Sequence, residues 1–358
     1  MGIDIGNRDI KIVEMKQGII PEITRMGRIP TPQGALDDGA ILQANLVANA
    51  IKNLIGRMEV RTRCAVTIVS GKHVITRLIK LPKMTSAEVA STLKWEAEKY
   101  IPLSNNTDVV IDHLILGNSE ENLNPQINVL LVAAPRKLVY LINETFTLAG
   151  LCLNAVEIEP LSLSRSIGWS IKNYASLRDC QDEVIVGLDM GAKATNLFVF
   201  QDKKLLFSRY IALGGDMISH AVATSHGIEF NAGQVIKERD GRILNENALD
   251  SVTEPEKNMD RVLKESIAPL VGEIKRSIDF LRSKEKLPTP KFLVLSGGAI
   301  KLKGLAEYLR NELAMQVTIG FGNIPVGEQF AGFVYNDVKN IDPAYAVAIG
   351  LALREIAT

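Results

Sequence analysis

The sequence contains two copies of a Gly–apolar–Asp–apolar–Gly pattern, each followed by a short polar turn and a second apolar run. The first copy is "GIDIG", which begins at Gly2, and the second is "GLDMG", which begins at Gly187. Each copy predicts a strand that carries an aspartate, Asp4 or Asp189, near its end and continues into a tight hairpin. A buried carboxylate is unfavourable unless a cation or hydrogen-bond donors meet it. Each hairpin therefore needs such a partner at its turn.

A hydrated magnesium ion with a polyphosphate would satisfy both aspartates, because Mg²⁺ prefers oxygen ligands and keeps several waters. A glycine in each turn lets backbone N–H groups approach phosphate oxygens closely. The copies begin about half the chain apart, as expected for two duplicated lobes that clamp one ligand. The alternative is a pair of ordinary hairpins whose aspartates hydrogen-bond to their own turns. The residues expected to bind are Asp4 and Asp189, which reach the metal ion through water, with Gly6, Asn7, Lys11, Gly191, Ala192, Lys193 and Thr195.

The composition argues against several other classes of function. The 41 basic residues balance 41 acidic residues, so we expect no binding of nucleic acid and no basic surface for an anionic membrane. No P-loop, GxGxxG or HExxH pattern occurs, and no apolar run is long enough to span a bilayer. Cys64, Cys152 and Cys180 are far apart and odd in number, so we expect neither disulfides nor a cysteine metal site, and a reducing compartment. A cytoplasmic protein without a signal peptide is expected.

Strand-like and helical stretches alternate along the chain, which predicts an α/β architecture with two or three lobes. A self-contained piece at 74–156 contains strand, helix, strand, strand, helix and strand. Its first helix begins with a capping box, Thr85 to Glu88. A mostly helical region follows at 216–287, and Asp342 before Pro343 predicts the start of the last helix.

The order of five motifs resembles the actin-like ATPase superfamily. The two hairpins resemble its phosphate motifs, Glu157–Gly168 and Ala344–Arg354 resemble its connecting helices, and Phe292–Leu305 resembles its adenosine motif. The resemblance covers nearly the whole chain and implies a two-lobed, ribonuclease H-like α/β fold that binds ATP or ADP with Mg²⁺. The further nucleotide-binding residues that it implies are Gly215, Gln234, Lys237, Arg276, Gly297, Gly298 and Ala299.

Two residues depart from the usual pattern of this resemblance. Asn7 stands where serine is usual, and Gln234 stands where glutamate is common before the ribose-facing Lys237. Asn7 keeps a side chain that forms hydrogen bonds. The neutral amide of Gln234 can still accept a hydrogen bond from a ribose hydroxyl, so we expect adenosine binding to be weakened rather than abolished.

Within the superfamily, the chain is similar to the PilM family of type IV pilus assembly proteins, in the branch that also contains FtsA. The insertion and the segments Leu93–Leu103, Arg209–Ser219 and Glu273–Leu281 carry this similarity. The implied division is a first lobe with hairpin 1 (1–73), an FtsA/PilM-type inserted small α/β subdomain (74–156), a connecting helix (157–180), a second lobe with hairpin 2 (181–215), a mostly helical subdomain (216–287), the adenosine motif (288–341) and a last connecting helix (342–358).

This similarity implies an assembly platform rather than a metabolic enzyme. PilM proteins bind the cytoplasmic N-terminal peptide of PilN, a membrane-anchored protein that pairs with PilO, through a groove that involves the inserted subdomain. We therefore expect a PilN-type partner and, indirectly, a PilO-type protein, with a pilus motor or self-association as further options. The protein would lie at the cytoplasmic face of the inner membrane through its partners only. The face from Trp95 to Tyr100 is the expected neighbourhood of the groove.

ATP hydrolysis requires a group that positions the attacking water. By resemblance, Glu159 matches the acidic residue at this position in bacterial actin-like proteins, and it is the one catalytic candidate. The alternative role for Glu159 is a favourable interaction with the dipole of the helix that it begins. We expect weak hydrolysis or none.

Two other functions of the superfamily stay open. A small-molecule kinase would need a base, for which Asp216 is a candidate, although its place after two glycines is more simply that of a helix cap. An FtsA-like membrane-associated filament protein would need an amphipathic segment after the last helix, and none follows before Thr358.

Overall fold

The computed structural model describes residues 1–18, 21–101, 108–119, 125–173, 183–201, 204–245, 251–284, 288–320 and 341–356. Within them the strands are β1 (Gly2–Ile5), β2 (Asp9–Lys16), β3 (Glu22–Pro30), β4 (Leu36–Asp37), β5 (Ala40–Ile41), β6 (Cys64–Val69), β7 (Ile75–Pro82), β8 (Val109–Ser119), β9 (Gln126–Pro135), β10 (Cys152–Ile158), β11 (Ile185–Met190), β12 (Thr195–Gln201), β13 (Lys204–Ile211), β14 (Phe292–Ser296) and β15 (Gln316–Ile319). The α-helices are α1 (Ala44–Arg57), α2 (Ser86–Tyr100), α3 (Arg136–Leu148), α4 (Glu159–Asn173), α5 (Gly215–His226), α6 (Phe230–Asp240), α7 (Glu254–Lys284), α8 (Leu305–Leu313) and α9 (Ala346–Ala352).

Two five-stranded sheets have the same topology. The first has the strand order β10-β6-β1-β2-β3 and the second has the order β15-β14-β11-β12-β13. In each sheet an antiparallel hairpin, β1–β2 or β11–β12, is extended by an antiparallel strand on one side and by two parallel strands on the other. The half-chain repeat of the sequence is therefore a repeat of the fold, and the predicted two-lobed actin-like architecture is confirmed.

Each lobe has a large apolar core. In the second lobe, β11 is buried on both faces, since the adjacent side chains of Ile185 and Val186 project to opposite faces and both are buried, as expected for a covered strand of an α/β sheet. The longest helix, α7, covers this sheet with a stripe that includes Leu263, Ile267 and Ile274. Within the described ranges, no helix is both long and apolar enough to cross a membrane.

The inserted subdomain is a small sheet with one helix. Its strand order is β7-β9-β8, and α2 buries Val89 and Leu93 against one face of it. The predicted capping box is present at the start of α2. The Glu88 carboxylate accepts a hydrogen bond from the Thr85 N–H at 2.7 Å, and the Glu88 N–H donates to Thr85 Oγ1 at 3.4 Å.

The last two elements of the predicted 74–156 piece belong to the first lobe in the structure. Strand β10 pairs in parallel with β6, from Cys152 beside Cys64 to Ile158 beside Val69, and α3 packs against α1. The strand–helix alternation of the sequence could not show this, because a strand's pairing partner is not encoded in its own residues. The small sheet and α2 alone form the separate layer.

The helices α4 and α9 cross at very close range. A Cβ atom added to Gly350 would lie 1.9 Å from the Ser162 carbonyl oxygen, so only glycine permits this approach. The last helical segment begins as predicted, because the Asp342 carboxylate accepts a hydrogen bond from the Ala344 N–H at 2.9 Å and Pro343 occupies the first turn. These contacts fix α9 against the helix that begins with Glu159.

Replacement of Gly350 tests this crossing. Gly350→Ala should lower the free energy of unfolding by about 1–3 kcal/mol, because the backbones of α4 and α9 must separate. Gly56→Ala is the matched control, since a Cβ at this helical position meets nothing within 4 Å and should be neutral or stabilising by up to about 1 kcal/mol. Urea unfolding followed by circular dichroism measures both. Equal unfolding midpoints for Gly350→Ala and the wild type would contradict the close crossing.

Candidate functional site

A cavity of about 680 Å³ opens between the two lobes, which is within the range of small-molecule sites. Both hairpins, the start of α4, the start of α5 and the loop after β14 line it. Thirteen of the residues predicted from the sequence line this cavity: Asp4, Gly6, Asn7, Lys11, Glu159, Asp189, Gly191, Ala192, Lys193, Gly215, Lys237, Gly298 and Ala299. The structure therefore brings residues from distant parts of the chain to one cleft.

Thr195 and Gly297 lie next to the cavity but do not line it. Thr195 is buried, and its hydroxyl donates a hydrogen bond to the Leu213 carbonyl at 2.7 Å. Gly297 has φ +92°, and a Cβ there would lie 2.4 Å from the Met190 carbonyl oxygen. Both residues shape the backbone that surrounds the cavity.

Gln234 and Arg276 also lie outside the cavity lining, and each pairs with a neighbour on its own helix. The Gln234 amide donates to the Glu238 carboxylate at 3.0 Å. The Arg276 side chain is 64% exposed and forms an ion pair with Glu273. The roles in ribose and adenine binding that the resemblance implied for these two side chains have no support from this geometry.

The two hairpin turns share one local geometry. The Gly6 N–H donates to the Asp9 carbonyl at 3.1 Å, and the Gly191 N–H donates to the Ala194 carbonyl at 2.9 Å. A Cβ at Gly6 or Gly191 would come within 3.0 or 3.1 Å of the same carbonyl oxygens. The glycines thus allow both turns to close tightly beside the carboxylates.

Buried charged side chains, among them Lys11 and Asp4, lie at the floor of the cleft. Lys11 Nζ lies 2.8 Å from Asp4 Oδ2, and both side chains are largely buried. Burial alone would lower the pKa of Lys11, but the nearby carboxylates of Asp4, Asp189 and Asp9 together raise it. Lys11 therefore stays charged and offsets one of the carboxylates.

Glu159 and Asp189 face each other across the same floor and share a hydrogen bond. Burial, followed by the charges of Asp189 and Asp4, raises the pKa of Glu159 well above its usual range. Burial also raises the pKa of Asp189, against the effect of a hydrogen bond from Ser296. The pair therefore retains a proton where isolated carboxyl groups would be ionised.

Asn196 holds Glu159 in place, although it was not among the residues predicted from the sequence. Its Nδ2 atom donates to Glu159 Oε1 at 2.7 Å. In the β11–β12 hairpin Asn196 is the direct register partner of Asp189. Pairing the residues of the hairpin from its turn outward would have placed Asn196 opposite Asp189. A residue opposite a functional aspartate on the next strand lies on the same face of the sheet.

Three contacts that the sequence did not predict join the lobes over the cleft. Lys193 Nζ lies 2.8 Å from Asp37 Oδ1, the Tyr210 hydroxyl donates to the Asp38 carboxylate, and Arg8 forms an ion pair with Glu238 at 3.0 Å. Lys193 lowers the pKa of Asp37 through a hydrogen bond and its charge. Burial and the adjacent Asp38 raise the pKa of Tyr210.

Lys237 and Asp216 lie on the helical side of the cleft. Lys237 Nζ donates to the Gly215 carbonyl at 3.1 Å and to Ser219 Oγ at 2.8 Å, and burial lowers its pKa. Gly214, not Asp216, is the N-cap residue of α5. Asp216 lies in the first turn and lines the cavity.

The donor set fits a nucleotide with a hydrated divalent cation. In the described part of the chain no group of three or more His, Cys, Asp or Glu side chains is arranged to hold a metal ion directly. Oxygen ligands around an ion that keeps its waters suit magnesium, as Asp4 and Asp189 offer here. Gly298 leaves open space, since a Cβ there meets nothing within 4 Å.

Comparison with known proteins agrees with the fold. The family described as type IV pilus assembly protein PilM matches residues 2–356. A solved PilM-PilN type IV pilus biogenesis complex is similar over 99% of this chain and 98% of its own, with a TM-score of 0.83 and 28% identity. Cell division protein FtsA of Streptococcus pneumoniae is 22% identical over 98% of this chain and 79% of its own length. MreB5 of Spiroplasma citri bound to AMPPNP has a TM-score of 0.53 at 10% identity, over 99% of this chain and 95% of its own, which is a likeness of fold.

The protonated carboxyl pair predicts a dependence of stability on pH. The raised pKa of Glu159 means that the folded chain binds more protons than the unfolded chain above the ordinary glutamate range, so the free energy of unfolding falls as the pH rises. Glu159→Gln removes this effect and keeps the oxygen that accepts from Asn196. The variant should melt higher than the wild type near pH 8, and the difference should vanish near pH 4, with each pKa unit worth about 1.4 kcal/mol.

The matched control is Glu265→Gln on α7, where the side chain is 63% exposed. Its melting temperature should differ from that of the wild type much less than that of Glu159→Gln near pH 8, because an exposed ion pair, here with Arg261, contributes little to stability. Calorimetric scans without nucleotide measure all three proteins. A Glu159→Gln difference that stays constant across the pH range would show that Glu159 is ionised in the folded state.

Proposed function

This chain belongs to the PilM family of type IV pilus assembly proteins, and we propose that it binds ATP or ADP with Mg²⁺ in the cleft and a PilN-type peptide on its inserted subdomain. One observation carries the nucleotide proposal. Two hairpins of the same design, one from each lobe, bring the carboxyl groups of Asp4 and Asp189 to one cavity. A chain that needed the hairpins only as architecture would gain nothing from two poorly solvated carboxyl groups beside one cavity, because such groups are unfavourable without a cation or hydrogen-bond donors.

The residues proposed to hold the nucleotide follow from their place around the cavity. The turns that contain Gly6 and Gly191 offer backbone N–H groups to phosphate oxygens, and Lys11 and Lys193 offer positive charge. Gly298 and Ala299 leave room for the adenosine, with Lys237 beside Gly215 for the ribose. The hydrated magnesium ion would supply positive charge between the phosphates and the carboxylates of Asp4 and Asp189.

Hydrolysis in this site is proposed to be slow or absent. A group that accepts a proton from the attacking water must itself be ionised, and burial raises the pKa of Glu159 well above its usual range. Asn196 fixes the Glu159 side chain, so Glu159 remains the candidate for positioning water. The protein would thus act as a weak ATPase at most.

The inserted subdomain is the proposed site for the partner. Trp95 on α2 is 86% exposed, which is unusual for tryptophan in a folded protein. Exposed aromatic side chains are enriched in protein–protein contacts, and the similar solved structure is a PilM–PilN complex. A PilN-type peptide, and through it a PilO-type protein, would hold this chain at the cytoplasmic face of the inner membrane. A pilus motor or a second copy of the chain are further candidate partners.

The effect of nucleotide binding is proposed to be transmitted to the partner site through residues 37–39, which we name the acidic turn. Asp37 and Asp38 contact Lys193 and Tyr210 of the second lobe. On the first lobe, the Gly39 N–H donates to Asn7 of hairpin 1 at 3.4 Å. The Lys72 N–H, on the segment that leads into the inserted subdomain, donates to Asp38 Oδ2 at 3.4 Å.

The charge of the acidic turn makes it sensitive to the ligand. A polyphosphate beside Lys193 would compete with Asp37 for this ammonium group and repel both aspartates. The acidic turn would then move relative to the second lobe and carry the segment at Lys72 with it. The proposed output is a nucleotide-dependent affinity for the partner peptide.

An FtsA-like filament protein is the second candidate, favoured by similarity to FtsA along almost the full chain. Sedimentation with lipid vesicles and Mg·ATP separates the two functions. Filaments on vesicles would favour the second candidate, and a monomer that stays in the supernatant would favour the peptide-binding platform.

Asp189→Asn tests the cleft as the nucleotide site. The variant should lose at least about tenfold in Mg·ATP affinity, because a charged hydrogen-bonding group is removed while its shape is kept. Arg276→Ala should bind like the wild type, since Arg276 does not line the cavity. Calorimetric titration of nucleotide-free protein measures both. Normal affinity in Asp189→Asn with reduced affinity in Arg276→Ala would place the nucleotide elsewhere.

The double variant Asp37→Asn, Asp38→Asn tests the coupling. In the wild type, the affinity for a PilN-type N-terminal peptide should differ at least about fivefold between Mg·ATP and nucleotide-free protein. The double variant should still bind both ligands, but its peptide affinity should no longer depend on nucleotide. Glu238→Gln breaks the cross-lobe pair with Arg8, which does not touch the inserted subdomain, and should keep the dependence. Fluorescence anisotropy of a labelled peptide measures all three, and a persistent dependence in the double variant would exclude the acidic turn as the route.

A further inference from the structure

Cys64 and Cys152 lie side by side in the structure, against the expectation from their distance in the sequence. Cys64 begins β6 and Cys152 begins β10, and the two residues are direct register partners in the parallel pair. The Cys152 N–H donates to the Arg63 carbonyl at 2.9 Å, which fixes this register. Both cysteines are exposed and reduced.

The geometry of neighbouring strands suits a covalent link between these two residues. Adjacent strands lie about 4.8 Å apart, and disulfides join residues whose Cα atoms are about 4.4–6.8 Å apart. Register partners project their side chains to the same face of a sheet. The Cys152 thiol now points to Asn154 Oδ1 at 3.8 Å, and a change of its χ1 rotamer redirects it.

Two features give the pair freedom to adjust. Both residues are the first of their strands, and β10 carries an irregularity between Leu153 and Ala155. A bulge bends its strand locally, so the start of β10 can approach β6 without disturbing the rest of the sheet. Solvent exposure of both thiols gives an oxidant access to them.

We propose that Cys64 and Cys152 form a reversible disulfide by exchange with a low-molecular-weight disulfide such as glutathione disulfide. One cysteine thiolate attacks the oxidant, forms a mixed disulfide and releases one glutathione thiolate. The other cysteine thiolate then attacks the protein sulfur of the mixed disulfide, which forms the Cys64–Cys152 bond and releases the second glutathione. The two cysteine sulfurs are oxidised by two electrons in total, the oxidant is reduced by two, and the released thiolates take up the two cysteine protons.

The position of the pair gives the bond a structural consequence. Strand β6 leads into the inserted subdomain and β10 follows the return from it, so the bond would close a loop that contains the whole subdomain. At their other ends, β6 runs toward Ser70 beside Gly39, and β10 runs directly into Glu159. Oxidation would fix the two strands that connect the cleft to the inserted subdomain. This inference is independent of the nucleotide and peptide proposals.

The test uses the full chain in which Cys180→Ser leaves only these two cysteines. The folded protein is incubated with glutathione disulfide, its remaining free thiols are blocked with an alkylating agent, and its intact mass is measured by mass spectrometry. The expected product carries no glutathione and no alkyl group, and it is lighter than the reduced, unalkylated chain by about 2 Da, the mass of two hydrogens. Peptide mapping should show Cys64 joined to Cys152, and dithiothreitol should reverse the change.

Cys64→Ser and Cys152→Ser in the same background are the matched controls. Each should stop at the mixed disulfide with one glutathione, because the resolving thiol is absent. The oxidised two-cysteine protein should also unfold at a higher urea concentration than its reduced form, since a long loop is closed in the unfolded state. A two-cysteine protein that carries two glutathione adducts, stays unmodified, or forms the bond only in denaturant would overturn the proposal.

Discussion

Three carboxyl groups, those of Asp4, Asp189 and Glu159, meet at the floor of one cleft, and the structure of the site depends on how their charge is compensated. Lys11 offsets Asp4 through a buried ion pair, while Glu159 and Asp189 retain a proton between them, as their raised pKa values indicate. Carboxylates held this close in a poorly solvated place repel each other strongly. A hydrated cation would relieve the repulsion, because its positive charge would lie between these carboxyl groups and the phosphates of a bound polyphosphate. When nothing is bound, bound protons and hydrogen bonds must compensate the charge of the carboxyl groups instead.

The fold explains why the carboxyl groups meet. Each lobe is built on the same five-stranded topology, so each presents one hairpin with an aspartate at its end. Glu159 comes from a third element, α4, which begins where β10 stops. The close crossing at Gly350 fixes α4 against α9, and this holds Glu159 at the point where the lobes face each other. Contacts over the cleft include exposed ion pairs, such as Lys193 with Asp37. Exposed ion pairs of this kind contribute little to stability, so a ligand can replace them.

Local patterns predicted much of this arrangement. The two hairpins, the capping box of Thr85 and Glu88, and the start of the last helix follow from short-range rules, and the structure contains them. Short-range rules could not predict which distant segments of the chain pair with each other. The strand–helix pattern grouped β10 with the inserted subdomain, and Cys64 and Cys152 looked unrelated because they are far apart in the sequence. The residues of a strand do not specify which distant strand pairs with it. Asp37 and Tyr210 were missed for the same reason, since they meet their partners only through the arrangement of the lobes. Gln234 and Arg276 were assigned by resemblance alone, and the faces of α6 and α7 turn both side chains toward partners on their own helices.

Both hairpins are proposed to close on one nucleotide. Hydrogen–deuterium exchange of the full chain, with and without saturating Mg·ATP, tests this proposal because the exchange of the backbone amides is measured separately for each turn. A clamp formed by the two lobes predicts slower exchange in both turns, residues 6–8 and 191–194, and in the loop at 298–303, at the same nucleotide concentration. Protection of one turn alone, or of neither, would contradict a clamp formed by the two lobes.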